Sequence, residues 1–331
     1  MRMSLIFTND ANSAWDCIVV GGGAAGLSAA LVLGRARRHT LVIDAGMQSN
    51  RPAEGIGGLL GHDRRPPGEL YRLGRAELEA YPSVEVREGV VTAGERIEDG
   101  AFRLELADGQ AEHARRVLLA TGMDYRPPSI PGLDELWGRS VFHCPFCHGW
   151  EVRDQPLAAL ADGERGLHAG LLLRGWSDDV VLLTDGPSSL GASDLERLAA
   201  GGVTVDQRRV AELVAEDGEL AAIAFADGSR LARRGLLVPA PLHQRSDLAA
   251  QLGAIAGESK GVAVDRLEID ALHATAAPGV FAAGDLSVQF PQVAAAIAAG
   301  SLAAAAIVQS LLAEDVGLPF PPVPAGARDD G

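Results

Sequence analysis

Two cysteines and two histidines fall within six residues, His143-Cys144-Pro145-Phe146-Cys147-His148. A C-x-x-C pair closes a small ring when oxidised, and the arrangement lowers the thiolate pKa of the attacking sulfur, so it suits reversible thiol–disulfide exchange. Other chemistries use the same residues. C-x-x-C-H attaches c-type haem, which needs an exported chain, and no leader-type pattern opens this one. Two Cys and two His could bind zinc, yet adjacent His143 and Cys144 are poorly disposed to reach one ion. Two buried, inert thiols are the plainest alternative. Redox exchange is favoured, because a dinucleotide fingerprint on the same chain gives the electrons a destination. The neighbouring His148 is the acid/base candidate: an imidazole titrates near pH ~6.5, and a thiolate beside it would raise that value. The third cysteine, Cys17, lies in a strand-like apolar run and reads as inert.

The fingerprint is Gly21-x-Gly23-x-x-Gly26, directly after the apolar run Trp15–Val20 and opening an Ala/Leu-rich helix to about Arg35. The first glycine permits a tight turn, the second admits a pyrophosphate, and the third lets helix and strand pack closely. The phosphates then meet the helix N-terminus. Asp44 ends the next strand, Thr40–Asp44, at the spacing of a carboxylate that takes ribose hydroxyls. A second strand–turn–helix start follows about 140 residues on, but its turn is damaged. It reads Ala161-Asp162-Gly163-Glu164-Arg165-Gly166, with two carboxylates where a pyrophosphate would approach. The following strand ends at Thr184-Asp185-Gly186, with no arginine for a 2′-phosphate. A nucleotide-free Rossmann scaffold is the favoured reading there, with NADH on Asp185 as the alternative.

These motifs need two α/β layers to hold them, and 331 residues suffice for two domains. Further strands are expected near Val84–Val91, Phe102–Leu106, Val117–Ala120, Pro156–Leu160, Val180–Leu183, Val210–Val214 and Leu220–Phe225, with helices near Leu167–Arg174 and Gln292–Leu312. Residues 1–14 and the Pro-rich stretch from Leu318 read as loose. The expected fold is therefore α/β, two Rossmann-like nucleotide-binding domains with the second inserted into the first. The boundaries are 1–123 and 242–331 for the first domain and 124–241 for the insert that carries the cysteines. The net charge of −15 argues against nucleic acid as a partner. No apolar run is expected to span a membrane, and a cytoplasmic chain is the expectation. Three cysteines are too few for a disulfide scaffold.

The order Gly21–Gly26, Ala120-Thr121-Gly122, Cys144–Cys147 and Phe281-Ala282-Ala283-Gly284-Asp285, then Gln292, resembles the low-molecular-weight thioredoxin reductase family from Trp15 to about Leu312. The resemblance implies FAD and a homodimer. It carries flavin-nucleotide contacts onto Gly21, Gly23, Ala24, Ala25 and Gly26, and onto Asp44, Ala45, Asn50 and Val90. Ala120, Thr121 and Gly122 join them, as do Gly284 and Asp285, the latter on the ribityl chain, and Gln292 and Val293 at the flavin's pyrimidine edge. Cys147 would lie nearest the flavin and Cys144 would exchange with substrate, with Asn50–Asp63 facing it. Two departures stand out. His148 replaces the family's Asp, and the NADPH motifs are missing. Both are similar instead to the flavin-dependent dithiol oxidases of the gliotoxin and holomycin type. That likeness implies a small-molecule dithiol substrate with molecular oxygen as acceptor. The runner-up is a disulfide reductase that acts on a thioredoxin-like protein and is fed by NADH, ferredoxin or another donor. A non-catalytic redox sensor is the third reading.

Overall fold

The computed structural model describes residues 14–98, 100–258, 261–288 and 290–321. The lead-in expected at 1–14 lies outside the described residues except for residue 14. The tail from Leu318 does so beyond residue 321. The chain forms two compact units: Met1–Gln48, Tyr71–Asp124 and His243–Gly331 make one, and Ser49–Leu70 with Tyr125–Leu242 make the other. The change-overs in this part of the chain fall at 124/125 and 242/243. Ser49–Leu70, which the expected boundaries leave in the first domain, clusters with the second.

In the first unit, β1 (Trp15–Val20) runs through an apolar turn into α1 (Ala24–Arg35) and returns as β2 (Thr40–Asp44). Next come α2 (Pro67–Leu78), β3 (Val84–Glu88), β4 (Val91–Arg96), β5 (Phe102–Leu106), β6 (Ala111–Leu119) and β7 (Met123–Tyr125). Apart from β7, these strands form one sheet ordered β3-β2-β1-β6-β5-β4. β1, β2, β3 and β6 are parallel, while β4 and β5 form an antiparallel hairpin beside β6. The segment expected at Val84–Val91 is thus divided. Its first half is the parallel edge strand, and Val91 starts the hairpin.

The second unit holds α3 (Leu133–Leu136), β8 (Val141–Phe142), α4 (Pro145–His148), β9 (Leu157–Leu160), α5 (Gly163–Leu173), β10 (Val180–Leu183), α6 (Ala192–Ala200) and β11 (Val203–Asp206). The antiparallel β12 (Val210–Glu216), β13 (Glu219–Phe225) and β14 (Arg230–Ala232) follow, then β15 (Gly235–Leu237). A parallel sheet β11-β10-β9-β15-β8 lies at its centre. Alternation along each strand supplies both faces. Ala158, Leu160, Val181 and Leu183 pack with Leu213, Ile223 and Phe225 of the antiparallel layer. Leu157, Ala159, Val180 and Leu182 pack with Leu173 and Leu198 of the helices.

β16 (Leu242–Gln244), paired with β7, marks the crossing back. The first unit then closes with α7 (Leu248–Gln251), β17 (Val280–Ala282) beside β6, a 3-10 turn at Gly284–Leu286 and α8 (Val293–Val316). By length and composition α8 could cross a membrane, which corrects the expectation that no segment would. About half of its apolar stretch is buried, and its Gly300 packs so tightly that a Cβ there would lie 2.0 Å from the Ala25 carbonyl oxygen of α1. Ser28 Oγ also donates to the Ile297 carbonyl at 2.8 Å. A helix set this closely into a protein core needs the same apolar composition as a lipid span.

Candidate active site

Parallel strands place their C-terminal ends along one sheet edge, where open α/β sheets bind ligands. In the first unit that edge collects most of the expected flavin-nucleotide residues. Gly21, Gly23, Ala24, Ala25 and Gly26 follow β1, Asp44 ends β2 with Ala45 next, and Val90 follows β3. Ala120, Thr121 and Gly122 follow β6, Gly284 and Asp285 follow β17, and Gln292 and Val293 open α8. Asn50 falls in the second unit.

The turn has the shape a dinucleotide requires. Gly21 holds φ +109°, and a Cβ on it would lie 2.3 Å from the Ala120 carbonyl oxygen. Gly26 rests so closely on the Gly21 carbonyl that a Cβ would sit 1.8 Å from it. A Cβ built on Gly23 would make only an ordinary van der Waals contact, with Gln48 Cγ at 3.6 Å. Neither α1 nor α8 has a side-chain N-cap or an acidic residue in its first turn, so both present main-chain N–H groups without a competing carboxylate. These residues fit the FAD expected from the resemblance. Gly22, which the G-x-G spacing treats as free, is also needed: a Cβ there would lie 2.7 Å from Asp44 Cβ. Three consecutive glycines were the available signal.

The damaged turn in the second unit is organised differently. Asp162 accepts from Ser188 Oγ at 2.8 Å and from the Ser189 amide at 2.9 Å. Against the cost of burial, those serine donors and the Gly163 main chain hold its carboxyl down at about 2. Asp185, the alternative ribose ligand, accepts from the Val210 amide at 2.8 Å. Asp162 and Asp185 are therefore each bonded to the chain itself, while Glu164, in the first turn of α5, is exposed. The third glycine keeps its packing role, since a Cβ on Gly166 would meet the Ala161 carbonyl oxygen at 2.9 Å. Arg209 lies beside Gly186, with its guanidinium 3.4 Å from a Cβ built there. The sequence around Thr184–Gly186 gave no sign of it, because it arrives from beyond β11.

Cys144 and Cys147 form a disulfide with Cα atoms 5.3 Å apart. Cys144 is the extended residue before α4, and Pro145 occupies the first helical position, where its missing N–H costs nothing. One helical turn brings Cys147 back beneath Cys144, and His148 completes it. The His148 ring stacks on Phe142 with centroids 5.8 Å apart, and both ring nitrogens are buried without a hydrogen-bond partner. Burial lowers its pKa, and the weaker influences of the Cys144 and Gly138 main chain and of Glu151 oppose the shift. In the disulfide form, where no thiolate stands beside it, His148 is therefore poised below the ordinary imidazole value; the upward shift expected from a thiolate concerns the reduced form. His143 sits between Tyr125 and Trp137, at 4.6 and 5.7 Å between centroids, and is pushed down to about 4 by burial and by His148. Ser49–Leu70 reaches this site within the same unit, since a Cβ on Gly57 would lie 2.4 Å from the Cys147 carbonyl oxygen. Cys17 is fully buried in β1, and desolvation raises its pKa strongly, as an inert thiol requires. Among the described residues no cluster of His, Cys, Asp and Glu could hold a metal.

A redox disulfide on one Rossmann-like unit and a glycine cradle on another define a class, and the comparisons agree. The signature of the pyridine nucleotide-disulphide oxidoreductases matches residues 15–300, and the chain belongs to that family of flavin-dependent oxidoreductases. Among relatives, the thioredoxin reductase tcpT of Claviceps purpurea is 32% identical over 308 residues, 90% of this chain and 95% of that protein. Among solved structures, HlmI is 39% identical with a TM-score of 0.86, covering 92% of this chain and 94% of its own. An oxidoreductase from Agrobacterium tumefaciens is 36% identical with a TM-score of 0.85, covering 91% and 99%. The chain is similar to these proteins along almost its whole length.

Proposed function

We propose that the protein is an FAD-dependent dithiol oxidase that closes a disulfide in a small-molecule dithiol and passes the electrons to oxygen. The observation that carries the direction is Asp162. Its carboxylate is tied to Ser188 and Ser189 at the N-terminus of α5, where a pyridine nucleotide would have to set its pyrophosphate. Like charge held at a phosphate position weakens binding. Electrons therefore enter through the cysteines.

The chain's own residues account for the exchange. A substrate thiol gives its proton to neutral His148, and the thiolate attacks Cys144 Sγ. The Cys144–Cys147 bond breaks, and Cys147 leaves as thiolate. The second substrate thiol then attacks the mixed disulfide, its proton passing to the released Cys144 while His148 returns the first proton to Cys147, so the product carries one S–S bond and the enzyme two thiols. Burial of His148 keeps the imidazole neutral at physiological pH, ready to accept the first proton. FAD, when bound by the residues at the first unit's sheet edge, supplies a two-electron acceptor for the enzyme dithiol that oxygen can reoxidise, yielding hydrogen peroxide. A homodimer in the cytoplasm is the expected assembly.

The test is anaerobic titration of the bound flavin with NADPH, NADH and a small dithiol in turn. Bleaching by dithiol, with neither nucleotide acting within seconds, supports the oxidase. Bleaching by NADPH at turnover rates of roughly 1–1000 per second would refute it. NADH alone would return the runner-up reductase and assign Asp185 to a ribose.

A further inference from the structure

The turn after β2 holds a cluster that the proposed reaction leaves unassigned. Asp44 is 4% exposed, and its carboxylate accepts from the Gly46 amide at 3.1 Å. It is ion-paired with Arg75, which α2 delivers from far along the chain. Gln48 Nε2 lies across both carboxylate oxygens, at 3.2 and 3.1 Å, and reaches toward the Gly22 carbonyl at 3.4 Å. Each of these bonds from a neutral amide is long and weaker than the charge-assisted bond from the Arg75 guanidinium. Gln48 Cγ also lies 3.6 Å from a Cβ built on Gly23, beside the glycine turn.

We infer that Arg75 is a positioning residue for the adenosine end of the flavin-nucleotide site, and that Gln48 is the donor a ribose diol replaces. A carboxylate has about four acceptor positions. With Arg75 on one oxygen and the Gly46 amide on the other, departure of Gln48 leaves an acceptor on each oxygen, a match for two vicinal hydroxyls. Without Arg75 the buried carboxylate loses its counter-charge and its fixed orientation. This inference rests on the reading that the first unit binds FAD.

The test uses the full-length chain freed of flavin and titrated calorimetrically with ADP, 2′,3′-dideoxy-ADP and FAD. Wild type should prefer ADP over the dideoxy analogue by about tenfold or more, because a site built for hydroxyls rejects a ligand lacking them. Arg75→Gln should weaken ADP by about tenfold and reduce that preference below about threefold, while Arg75→Lys, which keeps the charge but not the fork, should fall between. Gln48→Ala should retain both affinity and preference. An Arg75→Gln protein that keeps the wild-type preference overturns the inference, whatever happens to overall affinity, because a role in folding or charge alone would weaken both ligands equally. Should that variant not fold, Arg75→Lys carries the same comparison. Loss of ADP binding by about tenfold in Gln48→Ala overturns the placeholder role. Wild type that binds neither ADP nor FAD removes the FAD reading itself, an outcome distinct from all the others.

Discussion

His143 makes the second unit sensitive to acid by a calculable amount. Its folded pKa of about 4 lies below the ordinary 6.5, so the unfolded chain takes up the proton first as pH falls. The neutral ring's contribution is therefore whole above pH 6.5 and lost by about pH 4. At about 1.4 kcal/mol per pH unit, the interval corresponds to about 3 kcal/mol. His143→Phe keeps an aromatic ring between Tyr125 and Trp137 and cannot protonate. Urea unfolding followed by tryptophan fluorescence at pH 7, 6, 5 and 4 compares the two proteins. With a urea slope of about 2 kcal/mol per molar, the wild-type midpoint should fall by about 1.5 M more than that of His143→Phe. Midpoints that track each other across this range, or a His143 proton resonance titrating near 6.5, would refute the reasoning.

The two cysteines should be unequal. Cys144→Ser should abolish exchange with dithiols and leave the flavin spectrum near normal, whereas Cys147→Ser should still form a mixed disulfide detectable by mass spectrometry yet fail to bleach the flavin. His148→Asn should retain flavin and slow dithiol oxidation by about 10²–10⁴-fold. Because the neutral imidazole is the working base and burial lowers its pKa, the wild-type rate should rise with pH along a limb below 6.5 that the variant lacks; identical profiles would make His148 a packing residue. Gly300→Ala forces α1 and α8 apart by about 1 Å, since the new Cβ would otherwise meet the Ala25 carbonyl oxygen. The cost of about 3 kcal/mol should lower the Tm of the first unit by about 6–12 °C in calorimetry.

Features written into short spans were legible in the sequence. Backbone covalency alone sets how far apart the members of Gly21–Gly26 and Cys144–Cys147 can be, so their spacing carried both the cradle and the disulfide. The parallel strands β1, β2, β9 and β10 were equally clear from their short apolar runs bounded by turns. α2 and α6 were not anticipated, because each buries little: within α6, Leu198 is the buried residue. Pro67, Tyr71 and Leu78 gave α2 a helical spacing too sparse to stand out. Tertiary structure decided what depends on distant partners or on exclusion of water. Arg75 reaches Asp44 across 31 residues, and Asp162 finds Ser188 and Ser189 across a strand and a helix. Ser49–Leu70 joins the cysteine-bearing unit through contacts such as Gly57 on Cys147. His148 was recognisable as a base by its place beside Cys147, but the direction of its pKa was not. That direction follows from desolvation, which only the packed surroundings of Phe142 and α4 create.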